Sequence, residues 1–365
     1  MSSPTKGRIS HLADTIQHLQ GEHSVIKAGI VGLGWWGRTL VESVSGESDD
    51  IQFVAGATRT QSDEVKAFAK EHNFRLLDGF DAMIEDDEIE AVVLATPHSK
   101  HVEQVIAAAA KGKHVYCEKP FALTKAGAAS AVAAVEQAGV TLGLGYNRRL
   151  HPEMNTLRER INSGDLGVIL HVESTMTFPN ALALKADAWR ANREETPCGG
   201  LTPMGVHAID GMIDLCGPID EVYCQSFRRA VEIESDDTTS ILFRMKEGMS
   251  GYLGTMTATG GGFSFQVYGS KGHVRLEGKT HTAGASSVER RTQLFGTCTF
   301  KPVKGPTETW QAEQGDIVRA TLDAFGRACA GKEDFPIPTS EMIHGASVTE
   351  AIIKSAGAHQ VTKVE

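Results

Sequence analysis

The chain's 365 residues exceed what one ordinary hydrophobic core supports, so two domains are expected. With 41% hydrophobic and 22% charged residues, its make-up is that of an ordinary soluble globular protein. A formal net charge of -10 and the lack of a long basic run argue against nucleic acid or an anionic membrane surface as a general partner, though backbone amides can still build a local anion site.

Residues 1–25 read as an extension before the first strand, where Leu12, Ile16 and Leu19 have the spacing of a short amphipathic helix. This extension lacks the apolar core of a signal peptide, and no segment approaches the roughly 18 apolar residues of a membrane span, so a cytoplasmic location is expected. Cysteines 117, 198, 216, 224, 298 and 329 form no CxxC pair and no metal-ligand spacing, which fits free thiols in a reducing compartment.

IKAGIVG (26–32) predicts a buried strand and GRTLVESVSG (37–46) a helix; QFVAGAT (52–58) is the next strand, followed by a helix over SDEVKAFAKEHN. AVVLAT (91–96), a helix from His101, the strand HVYCE, a helix from Lys125 and the strand TLGLGY continue the alternation. Such alternation predicts a parallel sheet with helices on both faces, with functional groups where strands end and helices begin. Beyond residue 150 the segments VILHVESTMTF, EVYCQSFRRAVEIE, TTSILFRM, GYLGTMTAT, FSFQVYGS and HVRLEG are strand-like with short Gly-rich breaks, as in a mainly antiparallel sheet. Residues 279–310 are polar and give no assignment; 341–356 read as a final helix.

Between the first strand and helix, Gly32-Leu33-Gly34-Trp35-Trp36-Gly37 is a G-x-G-x-x-G loop. The first glycine permits the tight turn, the second lets a pyrophosphate approach the backbone, and the third lets helix pack on strand, while the helix N-terminus supplies amide donors. The motif is specific only in this strand–helix setting; outside it, a tight turn explains it equally well. An NAD site usually has an acid at the end of the second strand, but here Thr58-Arg59 stand there and the first acids are Asp63 and Glu64. A hydroxyl followed by a guanidinium suits a 2′-phosphate, hence NADP rather than NAD; the plainer alternative is a solvated loop arginine.

Lys119 follows the strand VYCE directly and so emerges at the same sheet edge as the glycine loop, in the cofactor cleft. The glycine loop, A-T-P-x-x-x-H (Ala95–His101), G-K-H-V-Y-C-E-K-P (Gly112–Pro120) and G-G-x(6)-H-x-x-D (Gly199–Asp210) occur together in order. On these motifs the chain resembles the glucose–fructose oxidoreductase / inositol dehydrogenase / rhizopine catabolism (Gfo/Idh/MocA) family over roughly residues 26–355.

The resemblance implies an NAD(P)-dependent oxidoreductase acting on a sugar, cyclitol or related small molecule. Its architecture would be a Rossmann dinucleotide-binding domain (26–147) followed by a C-terminal α+β domain (148–365) with a large, mainly antiparallel open sheet. That sheet often makes oligomer contacts in the family, which implies a homodimer or homotetramer. Lys119 would match the lysine beside the nicotinamide, where an amine can give or take a proton as hydride moves, with its pKa lowered by burial. Glu118 would orient it and Pro120 would stiffen the turn. Thr96, Pro97, His98 and His101 would border the cofactor; a metal at His98 and His101 is disfavoured, since no third ligand is suggested. Asn147 and Arg148 would touch cofactor or substrate, or link the domains. Trp189-Arg190 resembles a W-R element over the active site in some relatives, where Arg190 would bind a carboxylate or phosphate or else pair with Asp187.

His207 and Asp210 match the last motif, with an interior packing histidine as the alternative for His207. The aspartate the family commonly has four residues before that histidine is Pro203 here. This departure leaves open a cofactor-dependent sensor, and the scaffold also serves hydrolases that keep their nicotinamide bound and split glycosides.

Overall fold

The computed structural model describes residues 25–280 and 285–365, so the helix expected around Leu12, Ile16 and Leu19 lies outside the described residues. A six-stranded sheet forms first: β1 (Ile26–Val31), β2 (Ile51–Ala57), β3 (Arg75–Leu77), β4 (Ala91–Leu94), β5 (His114–Cys117) and β6 (Leu142–Leu144). All pairs are parallel, in the order β3-β2-β1-β4-β5-β6. Every residue of β4 is buried, as a strand covered by helices on both faces must be. The helices are α1 (Trp35–Val44), α2 (Asp63–Glu71), α3 (Gly79–Ile84), α4 (His101–Ala110) and α5 (Lys125–Ala138). Ser62 and Thr124 cap α2 and α5 by accepting from the amides of Val65 and Gly127. Because strand order reverses between β1 and β4, a crevice opens at their carboxyl ends.

A 3-10 turn (Asn147–Leu150) and α6 (Pro152–Asn162) lead into a nine-stranded sheet. Its strands are β7 (Ile169–Thr177), β8 (Ile219–Phe227), β9 (Thr238–Met245), β10 (Ser250–Met256), β11 (Gly262–Gly269), β12 (Gly272–Gly278), β13 (Phe295–Pro302), β14 (Glu308–Gln311) and β15 (Thr362–Lys363). The order is β14-β13-β12-β11-β7-β10-β9-β8-β15, antiparallel except for the β7–β10 pair. On one face lies α7 (Gly205–Cys216), almost wholly buried; Cβ atoms added at Gly205 and Gly211 would touch Leu253 of β10 and Phe265 of β11. The polar stretch after residue 279 holds α8 (Ser287–Thr292), β13 and β14.

The last two helices return to the first sheet. In α9 (Ile317–Cys329), Phe325 meets Tyr116 of β5 edge-on at 5.5 Å and presses on the bare backbone of Gly143 in β6. The final helix, α10 (Thr339–Ala358), packs against α5, α7 and β8.

Arg149, just beyond β6, ties these parts together. Its Nε and Nη2 donate to Asp210 Oδ2 (3.2 Å) and Oδ1 (2.5 Å) on α7, and Nη1 donates to Glu341 Oε2 on α10 at 2.6 Å. Arg149 and Asp210 side chains are each only 4% exposed. Removing one partner of such a pair strands a buried charge, whereas removing both leaves an apolar contact. Arg149→Leu should therefore lower stability by about 3 kcal/mol or more, read as a fall in urea midpoint at constant slope. The double variant Arg149→Leu/Asp210→Leu should recover part of that loss; a single variant as stable as the parent would show that the pair does not hold the fold.

Candidate active site

The glycine loop joins β1 to α1 at the crevice. At Gly32 the φ angle is +105°, and a Cβ would lie 2.4 Å from the carbonyl oxygen of Ala95; one at Gly37 would lie 1.9 Å from that of Gly32. Only glycine fits these two positions. A Cβ at Gly34, by contrast, would meet nothing within 4 Å, so open space stands before the N-terminus of α1, which has no side-chain cap. Unpaired first-turn amides facing open space are what a pyrophosphate requires, and the loop fits a dinucleotide.

Within that loop the Leu33 side chain is buried in the core, so only its backbone can face a ligand. Trp35 is exposed, with the Arg290 guanidinium 5.2 Å from its ring, and Trp36 points inward, its indole nitrogen buried near Glu118. Thr58 and Arg59 follow β2 at the same edge; Arg59 is exposed and makes no hydrogen bond or ion pair among the described residues. The next two acids are engaged, Glu64 by Arg38 and Asp63 by Lys66.

Beyond β4, Thr96 donates its hydroxyl hydrogen to Gln104 Oε1 at 2.6 Å, and Pro97 is exposed. His101 is fully buried, its Nδ1 2.8 Å from the Pro120 carbonyl and its Nε2 3.0 Å from that of Thr96. A neutral imidazole carries one N–H, so His101 donates to one of these carbonyl groups and packs against the other, lying between the turn after β5 and the end of β4, behind the cleft lining. His98 lies against the second half of the chain, with Nδ1 3.0 Å from the Glu195 carbonyl and its ring edge-on to Trp189 at 5.1 Å. Burial and the neighbouring His101, Lys119 and Arg190 bring its pKa down to about 3, so it is neutral.

At the end of β5, Glu118 is buried beneath Lys119, and the Lys119–Pro120 peptide is cis. A Cβ at Gly145 would lie 2.7 Å from the Glu118 carboxylate, so the bare backbone after β6 is what makes room for it. Burial raises the pKa of Glu118, opposed by the Lys119 charge and the Trp36 indole. Lys119 donates from Nζ to the Pro203 carbonyl oxygen at 2.8 Å. Burial brings its pKa down to about 8, with Glu118 pulling upward and Arg190 and Arg148 pushing further down.

His207, in the first turn of α7, is buried with its Nδ1 lacking a partner and its ring 6.0 Å from that of Tyr146. Burial, then the charges of Lys119 and Arg148, hold its pKa well below the imidazole range. Asn147 is buried beside the lysine's strand edge. Arg148 lies with its guanidinium carbon 4.6 Å from the Phe263 ring, and Arg190 with its own 4.1 Å from the Trp189 ring; the ion pair with Asp187 weighed for Arg190 is not formed.

The structure therefore gathers Lys119, His207, Arg148 and Arg190 into one electrostatic neighbourhood, sets the glycine loop, Thr58 and Arg59 along the adjoining edge, and withdraws Leu33 and His101 into support. Motif reading did not find Arg149, which positions His207 through Asp210, or the Pro203 carbonyl, because neither has a side-chain signature at that spacing. The G-x-G of TLGLGY and the arginine pair of YNRR were the available signals.

Residues 26–146 match the model of an oxidoreductase family with an NAD-binding Rossmann fold, and residues 154–275 match a GFO/IDH/MocA C-terminal domain. The chain is 31% identical to the rhizopine catabolism protein MocA of Rhizobium meliloti over 67% of its own length and 76% of that protein's. It is 26% identical to myo-inositol 2-dehydrogenase of Thermotoga maritima over 68% and 74%. The crystal structure of aldose–aldose oxidoreductase from Caulobacter crescentus superposes with a TM-score of 0.80 at 21% identity, over 93% of this chain and all of that one. Among the described residues no helix is long and apolar enough to cross a membrane.

Proposed function

The chain belongs to the Gfo/Idh/MocA family of oxidoreductases, and on that premise we propose an NADP-preferring dehydrogenase or reductase in which Lys119 is the acid/base. Its substrate is a hydroxyl or carbonyl compound of the sugar, cyclitol or related small-molecule class. The observation that carries this reading is Lys119 at the strand edge, anchored to the Pro203 carbonyl in the same neighbourhood as the unpartnered, neutral imidazole of His207.

When bound, the nicotinamide supplies hydride transfer to or from the reacting carbon. In the oxidising direction the Lys119 amine takes the hydroxyl proton; in the reducing direction its ammonium gives one to the oxygen. The Pro203 carbonyl orients Nζ but cannot take a proton, so this duty rests on Lys119 alone. His207 is assigned to positioning or polarising the substrate, its buried Nδ1 having no partner within the protein. Thr58 and the exposed Arg59, followed by acids that already belong to the first turn of α2, support the 2′-phosphate of NADP over a free ribose. On the outer face of the second sheet Phe227 and Leu242 are 47% and 55% exposed, which supports a homodimer or homotetramer.

Lys119→Ala should lose about 10²- to 10⁴-fold in kcat with unchanged dinucleotide affinity; turnover equal to the parent would remove the lysine's role. A parent protein that binds dinucleotide yet turns over nothing in a broad alcohol and ketone panel would instead favour the sensor reading that Pro203 suggests. For kcat/KM against pH, oxidation should rise as Lys119 deprotonates and level off above about 8, while reduction should fall above the same value. Parallel fluorescence titrations should show NADPH binding more tightly than NADH, with Arg59→Ala abolishing the difference; tighter NADH would reverse the cofactor preference. Light scattering at micromolar concentration should give a dimer or tetramer mass, and a monomer there would sink that proposal.

A further inference from the structure

Arg148 and Arg149 are neighbours in sequence with opposite surroundings. Arg149 is bonded to Asp210 and Glu341, with Asp214 3.6 Å away. Arg148 meets the Met176 sulfur at 3.9 Å and the face of Phe263, both on the second sheet, and no carboxylate among the described residues. Arg190 likewise lies on the Trp189 ring, half-buried, with no acid in reach among the described residues. An aromatic ring covers the face of a guanidinium and leaves its N–H edges free, which is the edge a carboxylate grips with two bonds.

Both guanidinium charges bear on Lys119, and the carboxylate that partly offsets them there is the buried Glu118, whose pKa burial raises against the pull of the Lys119 charge. Half-buried cations that outnumber their counter-charge are costly to keep. The family's usual carboxylate at position 203 would have offset part of this charge, and here an uncharged carbonyl oxygen stands in its place. His207 adds a second unmet requirement, since its buried Nδ1 has no partner.

Resting on the oxidoreductase reading above, we propose that the substrate is an acid: a hydroxy or oxo acid of sugar size or smaller, whose carboxylate is held by Arg148 and Arg190 while its reacting oxygen meets Lys119. The substrate itself then supplies the missing negative charge. The glycine loop has its own amides for the cofactor's phosphates, and Arg148 rests on β7 and β11 side chains, so neither the pyrophosphate nor the adenosine end needs these arginines.

The test uses matched pairs that differ only in carrying an anion: D-glucuronate with D-glucose, D-gluconate with D-glucitol, and lactate with propane-1,2-diol. Binding to the NADP-loaded protein is followed by quenching of tryptophan fluorescence, for which Trp189 beneath Arg190 is the natural reporter, and by calorimetry. At least one acid should bind ten-fold or more tightly than its neutral partner, and the preference should weaken as salt is raised. Arg190→Gln and Arg148→Gln should each bring the pair towards parity, Arg190→Lys should keep part of the preference, and NADPH affinity should stay unchanged in all three. If no acid outbinds its partner, whether both bind or neither does, the proposal is overturned while the oxidoreductase reading stands. A loss of NADPH affinity in Arg190→Gln without any acid preference would also overturn it, assigning that arginine to the cofactor. Failure of the parent protein to bind either dinucleotide would instead sink the oxidoreductase reading, and this proposal with it.

Discussion

A guanidinium withdrawn from water has to be met by carboxylates from every side it faces, and Arg149 meets that condition with groups from two different helices. Asp210 comes from α7, Glu341 from α10, and the arginine itself from the turn after β6. The turn therefore cannot shift without stranding charge on both helices. That constraint sets where α7 begins, and hence where His207 stands relative to the strand edge that carries Lys119. Chemistry at the site depends on two half-chains meeting with a fixed offset, and this buried node is what fixes it.

The partner of Lys119 governs how that lysine behaves. An aspartate would hold the ammonium with a full charge and raise its pKa; an amide carbonyl offers a dipole only. With Arg148 and Arg190 pushing the other way, the lysine is left near the pH at which an amine exchanges protons readily. That poise comes first from burial and then from the two cations, opposed by Glu118. A carbonyl partner also leaves the cations around Lys119 incompletely offset, so the lysine's lowered pKa and the proposed acidic substrate rest on the same arrangement.

Much of this was legible from the residues. Long apolar runs and the glycine loop marked β1, β2, β4, β5 and β6, because strands covered on both faces need uninterrupted apolar sequence. β3 was not, since its three residues Arg75–Leu77 are all partly exposed and carry no pattern. In the second sheet, β13 and β14 were hidden because polar residues such as Thr297 and Thr299 face away from the core and dilute the apolar pattern. Within the site, Lys119 and His207 were singled out through the motifs that carry the family resemblance. The roles of Arg148 and Arg149 were not separable in YNRR, because what distinguishes them is which neighbours surround each one. His101 shows the same limit: a histidine in the right motif, turned inward between two carbonyl groups.

The return of α9 to the first sheet bears on how the chain folds as it is made. By residue 144 all six strands of that sheet exist, but the apolar face at Tyr116 and Gly143 waits for Phe325, some 180 residues later. Until then the dinucleotide-binding half presents uncovered aromatic and backbone surface, and closing it brings the loop entropy of the whole second sheet to bear on one contact. Folding of the two halves is coupled by this late closure, and the nascent half is the species most exposed to wrong association.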